Sequence, residues 1–363
     1  MIETPTQPQV GKIFGRLLKN NRLGSSYLFY GPAGCGKWQA AVEIAGTVLA
    51  FQNGEIDQKA LARARKLIHP DLSIVFPMPS PKKIEERNEF VAFFKESKIA
   101  NPYVPVNFGR VSNILKESVR EFQENLYKSP VEGGYRTAIF EKAETMPRTS
   151  FDILLKTIEE PPPNSLILIL TDNFDRMPET IRSRCQKIRF KRTSPEFITD
   201  YLVNSRGLST KDAEFFTTLS FGSLSRAEQL VDTDFPEERE TALILLALLF
   251  TKPLDQYWTE FQNVFNLNDR TKIENLLMIW QSLYHDISVI QSGADIKNLI
   301  NKDMEEKLVK LSNLVGSFEN ACNGLGNLLS LQKLFYRNIS PLTAFFETSG
   351  RLKANLPPLE VRD

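Results

Sequence analysis

Gly31-Pro32-Ala33-Gly34-Cys35-Gly36-Lys37 fulfil the spacing G-x-x-x-x-G-K, with which a chain wraps its backbone around a phosphate group. Glycines at these positions let successive N–H groups close around phosphate oxygens, and a helix N-terminus behind them adds a favourable dipole. Lys37 would supply the positive charge. The pattern ends in a Ser or Thr whose hydroxyl helps to hold Mg²⁺, and here that position is Trp38. An indole has no lone pair to offer a hard cation. Gly31, Gly34, Cys35, Gly36, Lys37 and Trp38 are therefore the candidate nucleotide-binding residues of a loop fitted to phosphate but poorly to hydrolysis. Weak binding of ATP or ADP is compatible with this set, and Mg²⁺ is left undecided. The plain structural alternative is a glycine-rich turn.

The loop needs a strand before it and a helix after it. Tyr27–Tyr30 has the apolar run of a buried strand, and Gln39–Ala50, rich in Ala and Val and free of Pro, has the composition of a helix. Further strands are predicted at Leu72–Phe76, Thr137–Phe140, Leu166–Leu170 and Ile188–Phe190, alternating with helical patterns as a parallel α/β sheet requires. Phe151, Leu154, Leu155 and Ile158 recur at i, i+3, i+4 and i+7, one helix stripe. Ser150 is its expected N-cap and Pro161-Pro162-Pro163 its stop. Between about residues 77 and 110 the alternation lapses into prolines and charges, the pattern of an insertion with one short helix near Asn88–Ser97. After Pro195 no strand pattern remains and helical periodicity continues to the end.

The chain has 363 residues, a net charge of +1 and three widely spaced cysteines, Cys35, Cys185 and Cys322. That balance shows no overall basic excess for nucleic acid, and the cysteine spacing argues against a disulfide framework, in keeping with a reducing cytoplasm. The Ala242–Phe250 apolar run is too short to span a bilayer and fits a buried helix, so no membrane is expected.

Tyr135-Arg136-Thr137-Ala138-Ile139-Phe140 is followed by Leu154-Leu155-Lys156-Thr157-Ile158-Glu159-Glu160-Pro161-Pro162, then Thr171-Asp172-Asn173, then Ile181-Arg182-Ser183-Arg184-Cys185. This succession resembles the AAA+ subunits of bacterial sliding-clamp loaders, the group that includes delta-prime and gamma/tau subunits. The likeness is strongest over residues 135–192, and His69-Pro70-Asp71 and the phosphate loop extend it toward the N-terminus. The resemblance implies a P-loop AAA+ α/β domain over residues 1–194, a parallel sheet with helices on both faces. It further implies a helical lid over 195–235 and an all-α collar for oligomerisation over 236–363.

The resemblance also assigns roles. The arginine of S-R-C in these subunits reaches into a neighbour's ATP site, which makes Arg184 a trans arginine finger that neutralises charge on the γ-phosphate oxygens. On composition alone Arg184 is one member of a solvated basic run with Arg182, Lys187, Arg189, Lys191 and Arg192. ATP-hydrolysing relatives end a strand in D-E-A-[DH], giving an Asp near the metal and a Glu that activates water. Here the residues are Glu141-Lys142-Ala143-Glu144. Glu141 retains a carboxylate, but Lys142 as an ammonium has no lone pair with which to accept a proton. Asn173 falls at the sensor-one position, though a capping turn explains it equally well. In the sensor-two segment the arginine comes one residue late, at Arg226 instead of Ser225, a turn of about 100° on a helix that directs it off the nucleotide.

The four-cysteine zinc module of the group is missing. Ala60, Leu61, Ala64, Leu67 and Ile68 predict a plain helix in its place, His69 is expected to enter a strand, His285 to be structural, and no zinc is expected. The function implied is a delta-prime-type subunit of a cytoplasmic DNA polymerase III clamp loader, catalytically degenerate itself. Its partners would be gamma/tau- and delta-type subunits and, through the assembly, the sliding clamp and primed DNA. The alternatives are an ATP-hydrolysing gamma/tau-like subunit, or a P-loop kinase or ATPase unrelated to replication.

Overall fold

A computed structural model describes residues 2–358 apart from 53, 133, 233–234, 266–269 and 335–339. The chain divides into two compact units, Met1–Gln229 and Leu230–Asp363. In the first, α1 (Pro8–Lys19) leads to β1 (Ser26–Tyr30) and α2 (Lys37–Ala50). A two-residue hairpin, β2 (Phe51–Gln52) and β3 (Glu55–Ile56), precedes α3 (Gln58–Arg65) and β4 (Leu72–Val75). Then follow α4 (Ile84–Ala100), α5 (Lys116–Leu126), β5 (Arg136–Phe140), α6 (Arg148–Glu159), β6 (Ser165–Thr171), α7 (Glu179–Arg184) and β7 (Gln186–Arg189). Five strands form one parallel sheet in the order β4-β5-β6-β1-β7.

Strand periodicity sorts the sheet into two faces. Tyr27, Phe29, Ile139, Leu166, Leu168 and Leu170 face a core completed by α1, α2 and α4. Leu28, Ala138, Phe140, Ile167 and Ile169 face the other, completed by α5, α6 and α7. Helices thus cover both faces, as a parallel sheet requires. Helix α2 is buried at every position except Gln39, which explains its unbroken Ala, Val and Ile content.

Three local expectations need correction. The insertion helix is not short: α4 runs for 17 residues, because Phe90, Val91 and Phe94 fasten it to the first core. The α6 stripe is placed as expected, but its N-cap is Pro147, and Ser150 is buried inside the first turn. The segment after α2 is a hairpin followed by an eight-residue helix, with Leu67 beyond its end at φ +57° and Ile68 exposed.

The sheet is followed by α8 (Pro195–Arg206), α9 (Thr210–Ser220) and α10 (Leu224–Val231). Ser194 caps α8, with Pro195 in its first turn, and Gly207 ends it at φ +68°. The compact division falls after Gln229, so α8, α9 and most of α10 are one body with the sheet.

Among the described residues the second unit is all helical: α11 (Phe235–Thr251), α12 (Leu254–Val264), α13 (Arg270–Gln291), α14 (Glu305–Val315), α15 (Phe318–Leu334) and α16 (Pro341–Lys353). Trp280, Tyr257, Tyr284, Phe261 and Phe345 are fully buried, and the Trp280 indole donates to Ala242 O at 2.8 Å. A Cβ at Gly324 would lie 2.1 Å from the Tyr284 ring, so glycine sets the close approach of α13 and α15. His285 is not in the apolar core: its side chain is 41% exposed, beside the buried Asp286. Among the described residues no helix is long and apolar enough to cross a membrane.

Candidate functional site

The phosphate loop runs from β1 to the first residue of α2. Gly34 and Gly36 take left-handed backbone at φ +72° and +86°, and a side chain on either would collide with protein. A Cβ on Gly34 would meet Ser223 Oγ at 2.2 Å, and one on Gly36 would meet Thr6 Oγ1 at 2.1 Å. The Leu224 N–H donates to Gly34 O at 3.0 Å, which seats the start of α10 directly on the loop.

Lys37 does not extend away from the loop. Its ammonium donates to Gly31 O at 2.7 Å and Pro32 O at 2.6 Å, and pairs with Asp172 Oδ1 at 2.7 Å. These three oxygens, with Cys35 Sγ at 3.7 Å, surround an ammonium that has three N–H groups to give. Burial draws the Lys37 pKa down, but the Asp172 carboxylate, through its charge and its hydrogen bond, outweighs it and leaves the net shift upward, so the cation persists. At Cys35 burial dominates and raises the thiol pKa despite the adjacent Lys37. Asp172 was not singled out from sequence. The register Tyr30↔Thr171 sets the residue after β6 beside the residue after β1, a juxtaposition that local sequence does not mark.

Trp38 is buried, with Phe94 edge-on at 5.3 Å between ring centroids and the Lys98 ammonium 5.1 Å from its own. Lys98 Nζ lies 3.0 Å from Glu141 Oε1 and donates to Val104 O at 3.2 Å. Glu141, the carboxylate retained at the degenerate acidic site, is thus neutralised by a buried lysine of the insertion. Nothing in the sequence around Lys98 marks it, since it lies 43 positions from its partner in an otherwise charged helix. Lys142 opens the following turn at φ +50°, and its carbonyl accepts from both the N–H and the hydroxyl of Thr145. Glu144 accepts the Asp172 N–H at 3.2 Å. Burial first, and the Asp172 charge second, push its pKa above the usual carboxylate range.

Asn173 Oδ1 accepts the Arg176 N–H at 3.3 Å and caps a single 3-10 turn. On α10 it is Ser225 that stands against the loop, 2.6 Å from a Cβ built on Gly34, whereas the Arg226 guanidinium lies over the Phe221 ring at 5.7 Å.

Arg184 is a surface residue. It ends α7 with its side chain 42% exposed, its Nε 2.6 Å from Glu159 Oε1, and one guanidinium nitrogen donating to Thr180 O at 3.3 Å. The next residue, Cys185, is buried, and burial pushes its thiol up to about 12. A buried anchor beside an exposed arginine fixes the backbone while leaving the guanidinium accessible. Arg182 instead lies over the Phe174 ring at 5.1 Å.

The structure therefore brings together the loop, Glu141, Asp172 and Glu144, and it sets Arg184 on the surface. The Mg²⁺ that a phosphate loop implies does not fit the residues present. The position of the metal-binding hydroxyl is an indole, and the nearest carboxylates hold Lys37 and Lys98.

The delta-prime subunit of DNA polymerase III from Bacillus subtilis (strain 168) is 23% identical over 343 residues, covering 92% of each chain. The tau subunit of the same organism is 24% identical over 259 residues, covering 69% of this chain and 40% of tau. Among solved structures, a gamma subunit-related protein of Thermotoga maritima aligns over 96% of this chain and 99% of its own, at 14% identity and a TM-score of 0.39. The sequence profile of the family described as "DNA polymerase III, delta subunit" matches residues 6–194, just over half of the chain. The chain belongs to the DNA polymerase III delta subunit family.

Proposed function

We propose that the protein is the delta-prime-type subunit of a cytoplasmic DNA polymerase III clamp loader. It does not hydrolyse ATP and presents Arg184 to the ATP bound by a neighbouring subunit. The observation that carries the non-hydrolysing half is the Lys37 ammonium, whose donors are held by Gly31 O, Pro32 O and Asp172. With Trp38 in the hydroxyl position and Glu141 tied to Lys98, neither a metal nor an activated water has a place. No step of phosphoryl transfer is assigned to this chain. In its place the protein contributes a surface guanidinium, two-pronged and always charged, suited to a γ-phosphate on another subunit. Family membership and the delta-prime relative support assembly with gamma/tau- and delta-type subunits. The sliding clamp and primed DNA are then handled by the assembly.

The test is Arg184→Ala in the reconstituted loader. The variant folds as the wild type does, since its side chain is 42% exposed, and ATP hydrolysis at one neighbouring site falls on the order of 10³-fold. Total turnover falls only in part, and Arg184→Lys restores little of it. Arg182→Ala is the control for lost charge, and equal effects of the two alanine variants would reduce Arg184 to a member of a basic patch. ATP turnover by the isolated protein, at a rate approaching about 1 s⁻¹, would favour the gamma/tau-like alternative.

A further inference from the structure

We propose that residues 98–103, the end of insertion helix α4 and the turn after it, form a strut. It fixes the lid helices α8 and α10 to the sheet without any ligand, with Lys98 as the built-in counter-ion of Glu141. The inference rests on the degenerate-pocket half of the function proposed above, and it assigns that pocket's mechanical role to the insertion.

The strut starts at the sheet. Glu141 follows directly on β5 and is buried, with its side chain 11% exposed and that of Lys98 2% exposed. A buried carboxylate needs a counter-charge within hydrogen-bond reach. Lys98 supplies it at 3.0 Å, gives a second hydrogen bond to Val104 O, and lies over the Trp38 ring. The tryptophan that breaks the phosphate-loop pattern is thus a wall of this ion pair's chamber, and Phe94, one helical turn before Lys98, packs edge-on against it.

Three residues further the same segment reaches the lid. Asn101 Nδ2 donates to Glu228 Oε2 at 3.0 Å, and Glu228, on α10, is fully buried. Arg206, the last residue of α8, reaches the same Oε2 at 3.0 Å. Asn101 Oδ1 accepts the Tyr103 N–H at 3.0 Å, which fixes the turn, and the Tyr103 ring stands edge-on to Tyr201 of α8 at 5.6 Å. Within a six-residue segment, Lys98, Asn101 and Tyr103 therefore touch the acidic end of β5, α10 and α8 respectively. A second, independent contact, from the Leu224 N–H to Gly34 O, holds α10 to the phosphate loop. All of these groups belong to the same compact unit. The lid's seat on the sheet is built from contacts within the protein, so it does not vary with nucleotide.

Amide hydrogen exchange on the full chain tests this. In the wild type, α8 and α10 exchange at the same rates with and without millimolar Mg²⁺ and ATP. Asn101→Ala, which removes a hydrogen bond to a buried carboxylate, speeds exchange of α8 and α10 about tenfold and leaves β1, β5 and β6 unchanged. Asn101→Asp, which sets a second carboxylate against Glu228, speeds it further. Lys98→Met lowers the melting temperature of the first unit, and Lys98→Met combined with Glu141→Leu recovers it by removing the unpaired charge. Lid protection that rises in the wild type with Mg²⁺ and ATP would overturn the strut. So would wild-type lid exchange in Asn101→Ala, or a Lys98→Met variant no less stable than the double variant. The Asn101 result is read on the isolated chain and does not depend on Arg184 or on assembly, so failure of the strut and failure of the clamp-loader reading are distinguishable.

Discussion

Lys37, Asp172, Glu141, Glu144 and Lys98 gather two ammonium groups and three carboxylates around a phosphate loop, and each cation is held by an oxygen of the protein. Glu144 is the unbalanced member. Its Oε1 takes the Asp172 N–H while its Oε2 is buried without a hydrogen-bond partner, and burial and the Asp172 charge raise its pKa. A carboxyl whose folded pKa exceeds its unfolded value of about 4.5 binds its proton more tightly in the folded state. It therefore costs stability once pH rises above 4.5, and that cost is complete above its folded pKa. Glu144→Gln keeps an oxygen for the Asp172 N–H and removes the charge. It should be at least as stable as the wild type at pH 7, by up to about 1 kcal/mol, with the difference vanishing below about pH 4. Urea unfolding at the two pH values measures it, and a variant less stable at pH 7 than at pH 4, relative to wild type, would contradict the assigned sign.

At the scale of elements, the phosphate loop and the first turn of α10 are packed as one piece, and Gly34 is the contact. Gly34→Ala must bear left-handed backbone at φ +72° and a Cβ 2.2 Å from Ser223 Oγ and 2.6 Å from Ser225 Cβ. Left-handed strain and overpacking together predict a loss of about 2–4 kcal/mol. Gly207→Ala, at the end of α8, has nearly the same φ of +68° but open space around the added methyl, and should cost about 1 kcal/mol. Chemical denaturation of both variants isolates the steric contribution of the loop–lid contact. Equal losses would mean that α10 yields freely.

Across the whole molecule, two compact units meet in sequence between Gln229 and Leu230. The helical unit has a buried aromatic core of its own, yet Ile244, Phe318, Leu329 and Phe346 remain exposed on it. Collar helices that join subunits would use such residues. Truncation after residue 229 should leave the first unit folded, with its far-UV circular dichroism and cooperative melting intact. The truncated chain should also lose co-purification with gamma/tau- and delta-type subunits. Retained co-purification would assign the subunit contacts to the first unit.

The strands, α2, α6 and their faces were legible because burial on a sheet imposes period two and burial on a helix imposes period 3.6, and both patterns are written in local order. The family was legible because its motifs are short and contiguous, and the loss of the hydroxyl at Trp38 could be named from a single position. Ser150 was mistaken for a cap because a serine before an apolar stripe is equally acceptable one turn inside, once its hydroxyl is buried by neighbours that the local pattern does not contain. The length of α4 was missed because its stabilising contacts come from Phe76 and Phe108 and not from its own periodicity. The sequence by itself determined the sheet, the phosphate loop, the family and the candidate arginine, since each depends on residues close together in the chain. Only the tertiary structure decided that Lys37 is spent on Asp172, that Lys98 neutralises Glu141, and that Asn101 reaches Glu228. Those pairs are separated by 43 positions or more, and a charge carries no local mark of the partner that will neutralise it.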